Sequence, residues 1–139
     1  MSELAAGAKW IYGVLTTDAT LQGYIGATAR VYDTLAPENA TMPFVTFQYQ
    51  GGYDVRTNGP ARIWASTVWL VKAIGTGSTF ATLQTIAGRV DALLTGKYGS
   101  NTAGQVWCVR EQPFQLLEVD AGVQYRHVGG LYRLWIREA

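Results

Sequence analysis

Residues 75–96 read GTGSTFATLQTIAGRVDALLTG, and this stretch has the clearest periodicity in the chain. Its apolar residues recur at helical spacing, which places them on one side of an amphipathic helix. Ser78 or Thr79 is suited to cap the first turn, and Gly96 is suited to the left-handed conformation that ends a helix. The pattern predicts a helix over Thr79–Leu94 that forms the centre of the core. The members of its apolar side are Phe80, Leu83, Ile86, Ala87, Val90, Leu93 and Leu94.

Strand patterns precede this helix. Ala61–Ile74 is the longest, and Val68–Val71 within it is apolar on both faces, as in the central strand of a sheet. Phe44–Gln50 alternates apolar and polar residues. One of its faces is therefore expected to be buried, and the other, which holds Thr46, to be polar.

A hairpin is predicted between these two strands, because Asn58-Gly59-Pro60 marks a turn. Gly51-Gly52 ends the clear alternation, and Tyr53–Thr57 fits either a strand that extends past the sheet or a loop. The hairpin tip is expected to project beyond the domain. Six of its residues are candidates for contact between subunits: Tyr53, Asp54, Arg56, Asn58, Arg62 and Trp64.

Helices are also predicted at the N-terminal end. Ser2 is suited to cap the first, over Ser2–Leu15, and a shorter one begins at Thr17 or Asp18 and stops at Gly26. Arg30–Tyr32 follows as a short strand. The expected buried faces of the two helices comprise Leu4, Ala8, Ile11, Tyr12 and Leu15, and Leu21, Tyr24 and Ile25.

After the main helix, Lys97–Gly104 is predicted to be a loop because it is rich in Gly, Ser and Asn. Val106–Glu111 and Gly130–Arg137 are predicted strands. Gln112–Gln124 between them is expected to be irregular, since Pro113 discourages a strand. The whole pattern predicts one α+β domain over residues 1–139, with a mixed or antiparallel sheet, N-terminal helices and one long amphipathic helix packed on the sheet.

The composition favours a protein that assembles. Charged residues make up 15% of the chain, against about 25% in an ordinary soluble domain, and the net charge is +1. Five Trp and eight Tyr residues are present. A domain with few charges and many amphipathic aromatics often hides surface in protein contacts. The eleven Lys and Arg residues are scattered, which predicts no tight nucleic-acid binding.

Membrane and redox features are sparse. No apolar run approaches the roughly 20 residues of a membrane-spanning helix, and no signal-peptide pattern is present, so no membrane partner is expected. The single cysteine, Cys108, excludes an internal disulfide. Its place in a strand between Trp107 and Val109 predicts a buried, unreactive thiol.

Catalytic and metal-binding patterns are weak. His127 is the one histidine, and although Asp120 and a hydroxyl residue could complete a triad, a surface histidine at a strand start is favoured because no nucleophile motif accompanies it. One Cys and one His are too few for a zinc site. Glu111, Glu118 and Asp120 are expected in a solvated loop. No enzymatic activity and no cofactor are therefore expected.

Two further patterns have simpler interpretations than a ligand site. Gly75-x-Gly77 lies where dinucleotide sites place their phosphate loop, but Phe80 stands in place of the third glycine, so a tight turn with a helix cap is favoured. Four arginines on the last two predicted strands would form a basic stripe if those strands pair, or else make salt bridges or subunit contacts: Arg110, Arg126, Arg133 and Arg137.

The order and spacing of several segments, from about residue 4 to 137, resemble one known family. The segments are the leading helix, Asp18-x-x-Leu21-x-x-Tyr24-Ile25-Gly26, Arg30-Val31-Tyr32, Pro37…Met42-Pro43-Phe44-Val45, the strand Arg62–Ile74, the helix Thr79–Leu94, and Tyr125-Arg126…Tyr132-Arg133-Leu134-Trp135-Ile136. In this order they resemble the tail-terminator, or tail-completion, family of long-tailed bacteriophages, which includes head-to-tail joining proteins. The strand with Trp64 and Trp69 and the turn over Tyr53–Gly59 depart from the family pattern.

The resemblance implies a structural virion protein assembled in the host cytoplasm. Such proteins form a ring, usually a hexamer, on the last ring of tail-tube protein, where they stop tail growth and provide a docking surface for the neck of the filled capsid. DNA passes through the hollow ring without specific binding, and no catalytic residues are implied. The alternatives are another connector of the neck, such as an adaptor or stopper protein, and a small nucleotide-binding enzyme that uses Gly75–Ser78.

Overall fold

A computed structural model describes residues 3–26 and 30–138. Nine helices and strands follow one another along this part of the chain. They are α1 (Glu3–Thr16), α2 (Ala19–Ile25), β1 (Val31–Asp33), β2 (Phe44–Arg56), β3 (Arg62–Thr76), α3 (Ala81–Leu94), β4 (Lys97–Asn101), β5 (Gly104–Asp120) and β6 (Val123–Glu138).

The strands form one mixed sheet in the order β1-β2-β3-β6-β5-β4. β1 is parallel to β2, and every other neighbouring pair is antiparallel. The long strands β2 and β3 form one hairpin, β5 and β6 form a second, and the short β4 forms a third with the start of β5. The α+β class and the mixed sheet agree with the prediction.

The hydrophobic core lies between one face of this sheet and the helices. α1 and α3 both contact β6 and β5, and α2 packs on α3 and α1. Because side chains alternate along a strand, the sheet residues of this core all belong to one face. We call it the helix-covered face. Its buried members include Val45, Phe47, Trp69, Val71, Ala73, Val106, Cys108, Tyr132, Leu134 and Ile136.

The main helix is present as α3, but its start differs from the prediction. Leu83, Ile86, Val90 and Leu94 are buried, as the periodicity predicted. Neither Ser78 nor Thr79 caps it, however. The N-cap residue is Phe80, whose side chain makes no capping hydrogen bond, because the chain turns into the helix only after residue 80.

The ends of the other helices are partly as predicted. Asp18 caps α2 by accepting a hydrogen bond from the Leu21 amide at 2.8 Å, and Gly26 ends it with a φ of 92°. Gly96, with a φ of 70°, follows the cap residue of α3. The predicted cap Ser2 lies outside the described residues.

The predicted buried face of α1 was partly wrong. Ile11 and Leu15 are buried, but Leu4 and Tyr12 are exposed, and Ala6, Gly7 and Trp10 are buried in their place. Tyr24 of α2 is also exposed. The small residues Ala6 and Gly7 let α1 approach the sheet closely, so the buried stripe follows them rather than the larger side chains.

Two segments predicted to lack strand structure are strands. Lys97–Gly104 contains β4, and Gln112–Gln124 continues β5 through Asp120 into the turn that starts β6. Pro113 is tolerated because that part of β5 pairs on one side only, with β6. The Gly-, Ser- and Asn-rich β4 is held by its pairing with β5 rather than by its own propensity.

The first hairpin resolves the ambiguity over Tyr53–Thr57 in favour of a strand. β2 continues past Gly51 and Gly52 with a register shift between Tyr49 and Gly51, and it pairs with β3 up to Arg56. Thr46 is also buried, at 3% exposure, although its face was expected to be polar.

Candidate assembly surface

The opposite side of the sheet, which we call the helix-free face, is not covered by α1, α2 or α3. It carries the side chains that alternate with those of the core. Some are buried by their neighbours within the sheet, such as Thr46, Ser66 and Leu70. Others are large aromatic groups that remain partly in contact with solvent. This face therefore leaves apolar surface open to solvent.

Three tryptophans lie close together on the helix-free face. Trp135 pairs with Trp107 across β6 and β5, and the ring centroids of Trp64 and Trp107 are 6.5 Å apart. Together with Tyr98 and Val109 they line a shallow, mostly apolar depression of about 410 Å³. Trp64, Trp107 and Tyr98 are exposed to 36%, 37% and 77%. We call this the tryptophan depression. It suits a protein partner better than a small polar ligand, because few polar groups line it.

The first arm is the tip of the β2–β3 hairpin, and the structure places all six predicted contact residues on it. Tyr53 and Trp64 share the helix-free face, since Tyr53 pairs with Ser66 and Val55 pairs with Trp64. Arg56 and Asn58 are exposed at the tip. The turn is closed by a backbone hydrogen bond from the Thr57 amide to the Ala61 carbonyl, at 3.0 Å.

Arg62 and Asp54 have contacts within the chain. The Arg62 guanidinium lies 3.9 Å from the Asp54 carboxylate and 3.3 Å from that of Glu138, and it also contacts Glu3 of α1. These contacts fix the base of the first arm to the C-terminal end of β6. Of the six predicted residues, Tyr53, Arg56, Asn58 and Trp64 are thus the better placed for an external partner.

The second arm, at the tip of the β5–β6 hairpin, was missed in the sequence analysis. Its four exposed apolar side chains are Leu116, Leu117, Val119 and Val123. β3 ends beside β6 at the pair Thr76–Tyr125, so the tip at Ala121-Gly122 lies beyond the sheet centre. The apolar residues of Leu116–Val123 were a signal for a strand, but Pro113 argued against one.

The two arms project from opposite ends of the sheet. β3 runs antiparallel to β6, and Ala65 near the first arm pairs with Ile136 near the end of β6. The second arm contains the start of β6, next to the end of β3. One chain therefore presents exposed side chains at both ends of its strands, in addition to the tryptophan depression.

The arginines of β5 and β6 do not form a free basic stripe. Arg133 contacts the Glu111 carboxylate and the Ser66 hydroxyl, and its guanidinium lies 5.6 Å from the Tyr53 ring. Arg110 lies 3.6 Å from Asp91. Salt bridges, one of the two alternatives considered, therefore account for both of these arginines.

Arg126 is also held within the chain. It donates a hydrogen bond to the Gly77 carbonyl at 2.9 Å and stacks on the Phe80 ring at 4.5 Å. This contact fixes the turn between β3 and α3, the place considered for a phosphate loop. Gly77 has a φ of 139°, which agrees with the tight turn favoured there.

His127 is buried, at 7% exposure, which corrects the surface position favoured by the sequence. It lies on β6 between β3 and β5, where Ile74 and Leu116 flank it. Burial lowers its pKa most, the charge of Lys72 lowers it further, and Glu118 at 3.5 Å opposes both. Asp120 stands at the far end of β5.

The remaining candidate for chemistry, Cys108, is part of the hydrophobic core. Cys108 is 1% exposed, and burial, with a smaller effect of Asp91, raises its pKa to about 12, so the thiol is unreactive as predicted. Over residues 3–26 and 30–138, no group of three His, Cys, Asp or Glu side chains is placed to hold a metal ion. None of the helices described there is long and apolar enough to cross a bilayer.

Comparison with known proteins gives a likeness in fold. No protein-family model and no curated protein matches the sequence. Among solved structures, the fold is similar to that of a chain in the "Virion of native gene transfer agent (GTA) particle", with a TM-score of 0.61. The likeness covers 91% of this chain and 91% of that chain, and the two sequences are 18% identical.

Proposed function

We propose that this chain is a structural virion protein of a phage-like particle and not an enzyme. The observation that carries the proposal is the similarity in fold, over 91% of both chains, to a chain of a gene transfer agent virion. The tryptophan depression and the two arms support it, because a chain with so few charges and such exposed aromatics is suited to protein contacts. Residues 1–139 then act as one tail-terminator-like domain.

The specific role proposed is a ring, with six subunits as the expected number, on the end of the tail tube. The ring stops tail growth, contacts the tail-tube protein on one side and offers a docking surface to the neck on the other. The order of segments that resembles tail terminators supports this role. A contact between two different surfaces of one chain closes into a ring when its rotation allows it. The first arm, with Tyr53, Asp54, Arg56, Asn58, Arg62 and Trp64, is proposed to contact the neighbouring subunit.

The test is to delete the gene in its phage and to examine the lysate by electron microscopy. A terminator predicts filled heads without attached tails, together with tails of uncontrolled length. Supplying the wild-type gene in trans should restore normal virions, which controls for effects on neighbouring genes. Free tails of regular length would favour a neck adaptor or stopper instead. Normal virions, or a block in DNA packaging, would contradict the proposal.

DNA is proposed to pass through the ring lumen without specific binding. Four arginines contact acidic side chains of their own chain, which leaves fewer cations to neutralise phosphates. They are Arg133, Arg110, Arg62 and Arg89. We predict that the purified chain binds duplex DNA more weakly than micromolar in about 150 mM salt. A filter-binding or anisotropy titration checks this. A nanomolar dissociation constant at that salt would show that the arginines do form a DNA-binding surface.

A further inference from the structure

Two strands of the sheet are only partly covered at their outer edges. β4 pairs with β5 from Gly104 to Cys108 and no further, and β1 pairs with β2 only from Val45 to Phe47. Along the rest of both strands, the strands of the described chain provide a partner on the inner side alone. The Arg110 amide still donates to the Thr95 hydroxyl at 3.0 Å. The open edges are therefore Gln48–Arg56 of β2 and Glu111–Asp120 of β5.

Open edges of this length are unusual, because unpaired backbone N–H and C=O groups readily pair with another chain. The two edges have nearly equal lengths, nine and ten residues. Both edges continue into the arms, where the exposed side chains include Tyr53 on β2, and Leu117 and Val119 on β5. Pro113 and Glu111 are present on the β5 edge and limit its pairing with arbitrary strands.

We infer that the β5 edge of one subunit pairs with the β2 edge of a second copy, so that one sheet continues from subunit to subunit. This inference rests on the self-assembly in the proposed function and names the contact that produces it. The partner is another copy of this chain because the edges complement each other in direction, position and length.

The direction follows from the strand order. β2 and β5 lie on opposite sides of the sheet and run antiparallel, since β2, β3, β6 and β5 alternate in direction. Two copies placed side by side in the same orientation bring β5 of one next to β2 of the other. These strands are then antiparallel, and the helix-free faces of both copies lie on the same side.

The positions of the open edges also match. β4 covers the start of β5 and leaves its later part open, whereas β1 covers the start of β2 and leaves its later part open. In an antiparallel pair, a second copy displaced along the strand direction aligns Gln48–Arg56 with Glu111–Asp120. The short strands β1 and β4 then lie beyond the two ends of the new ladder instead of blocking it.

This alignment predicts particular neighbours. When the two segments are aligned over their full length, Val55 stands opposite Gln112, and Tyr53 stands opposite Phe114. All four residues belong to the helix-free face, because their partners within the chain are Trp64, Leu131, Ser66 and Gly129. Arg56 stands opposite Glu111, whose carboxylate also contacts Arg133 of its own chain, so opposite charges meet at one end of the ladder.

Cysteine cross-linking tests the pairing without ambiguity about which chains are joined. Within one subunit, β3 and β6 separate β2 from β5. Three strand spacings amount to about 14 Å, and a disulfide needs Cα atoms within about 7 Å, so an intrachain bond is excluded. The native Cys108 is buried and does not compete.

The experiment introduces Val55→Cys and Gln112→Cys together in the full chain. Tail ends that carry this variant are isolated from a phage lysate and oxidised mildly. A second variant combines Tyr53→Cys with Phe114→Cys. The matched control keeps Val55→Cys but moves the second thiol to the exposed residue Ala92 of α3. Electron microscopy counts capped tail ends, and thermal unfolding confirms that each variant folds.

Both edge pairs should give a reducible ladder of covalent oligomers on a denaturing gel, with roughly tenfold more cross-linked chain than the control, because disulfide formation requires close Cα atoms. Capped tail ends without such a ladder from either pair would overturn the edge pairing and leave the proposed ring intact. A ladder of equal strength in the control would overturn it too. If the chain is absent from tail ends even as wild type, the proposed function fails and this inference fails with it.

Discussion

The two faces of the sheet carry similar aromatic side chains, but these side chains differ in their exposure to solvent. On the helix-covered face, Trp69 and Tyr132 are 2% and 1% exposed. Each also satisfies its polar atom: the Trp69 indole donates to the Thr67 hydroxyl at 2.9 Å, and the Tyr132 hydroxyl donates to Asp91 at 3.1 Å. On the helix-free face, Trp64 and Trp107 stay more than a third exposed.

The difference shows that the helices, not the residue types, decide which aromatics belong to the core. Burying a large side chain contributes roughly 1.5–3 kcal/mol, so the helix-covered face accounts for most of the stability of the chain. The helix-free face and the arms keep apolar area available for contact with other chains. Substitutions on the two sides should therefore affect different measurements.

The largest effect is expected from a substitution in the core on the helix-covered face. Leu83→Asp places an unpaired carboxylate where the side chain is 4% exposed. This costs several kcal/mol, against a total stability of about 5–15 kcal/mol, so we expect loss of folding. Leu93→Asp, at a half-buried position, should be less severe. Far-UV circular dichroism and thermal unfolding measure both.

The matched control for this comparison is Val119→Asp on the second arm, where the side chain is 62% exposed. It should shift the melting temperature by only a few degrees, since little apolar area is lost from the folded chain. A melting temperature of Leu83→Asp close to that of wild type would show that α3 does not pack in the core. An unfolded Val119→Asp would show that the arm is part of the core.

The fold class and the main helix could be predicted from the sequence because periodicity is a local property. α3 is amphipathic over its whole length, and the Asp18 cap and the Asn58-Gly59-Pro60 turn are signalled by residues next to one another. The exposed faces are different. Nothing in the sequence around Trp64 says whether a helix lies over it. Leu4 and Tyr12 of α1 were placed wrongly because the buried stripe of that helix follows the small residues Ala6 and Gly7.

The errors in the second half of the chain have one physical origin. β4 has weak strand propensity and Pro113 argues against a strand in the later part of β5, yet both segments are strands, because β4 pairs with β5 and β5 pairs with β6 along its whole length. Such pairing between segments cannot be read from one segment alone. His127 was misplaced for the same reason: its burial comes from neighbours on β3 and β5. The first arm could be predicted, since a turn signal marks it.

The next prediction sharpens how closely a helix approaches the covered face. A Cβ at Gly7 of α1 would lie 2.9 Å from Ile136 Cδ1 and 3.0 Å from Trp69 Cζ2, whereas a Cβ at Gly13 meets nothing within 4 Å. Replacing a helical glycine by alanine stabilises by roughly 0.5–1 kcal/mol, but overpacking costs about 1–3 kcal/mol. Denaturant unfolding should show that Gly7→Ala destabilises by about 1 kcal/mol and that Gly13→Ala stabilises. Equal effects at both positions would contradict this packing.

A smaller effect concerns how α2 and α3 are held together above the covered face. The Asp18 carboxylate caps α2 and also accepts hydrogen bonds from Arg89 Nε and Nη2 at 2.9 and 2.6 Å. The Arg89 hydrogen bond is the main reason that the pKa of Asp18 is lowered. Asp18→Ala should cost about 1 kcal/mol through the lost cap. Asp18→Asn keeps a capping oxygen and should cost less in the same unfolding assay. Equal losses would mean that the ion pair, not the cap, dominates.

The smallest effect tests the buried part of the helix-free face through pH. Burial, and then Lys72, lower the pKa of His127 in the folded chain, although Glu118 opposes them. In the unfolded chain the pKa returns to about 6.5. Below that pH the unfolded chain binds a proton that the folded chain resists, so stability is full above about pH 6.5 and decreases as the pH falls. The slope from this one group is at most about 1.4 kcal/mol per pH unit.

His127→Gln removes the titration of this side chain, so the melting temperature of the variant should fall less than that of wild type between pH 7.5 and 5.5. Asp18 does not interfere, because its lowered pKa places its titration at more acidic pH. Parallel curves for the two proteins would mean that His127 binds its proton as readily in the folded chain as in the unfolded one. The helix-free face would then be open to water even where β6 is paired on both sides, with β3 and with β5.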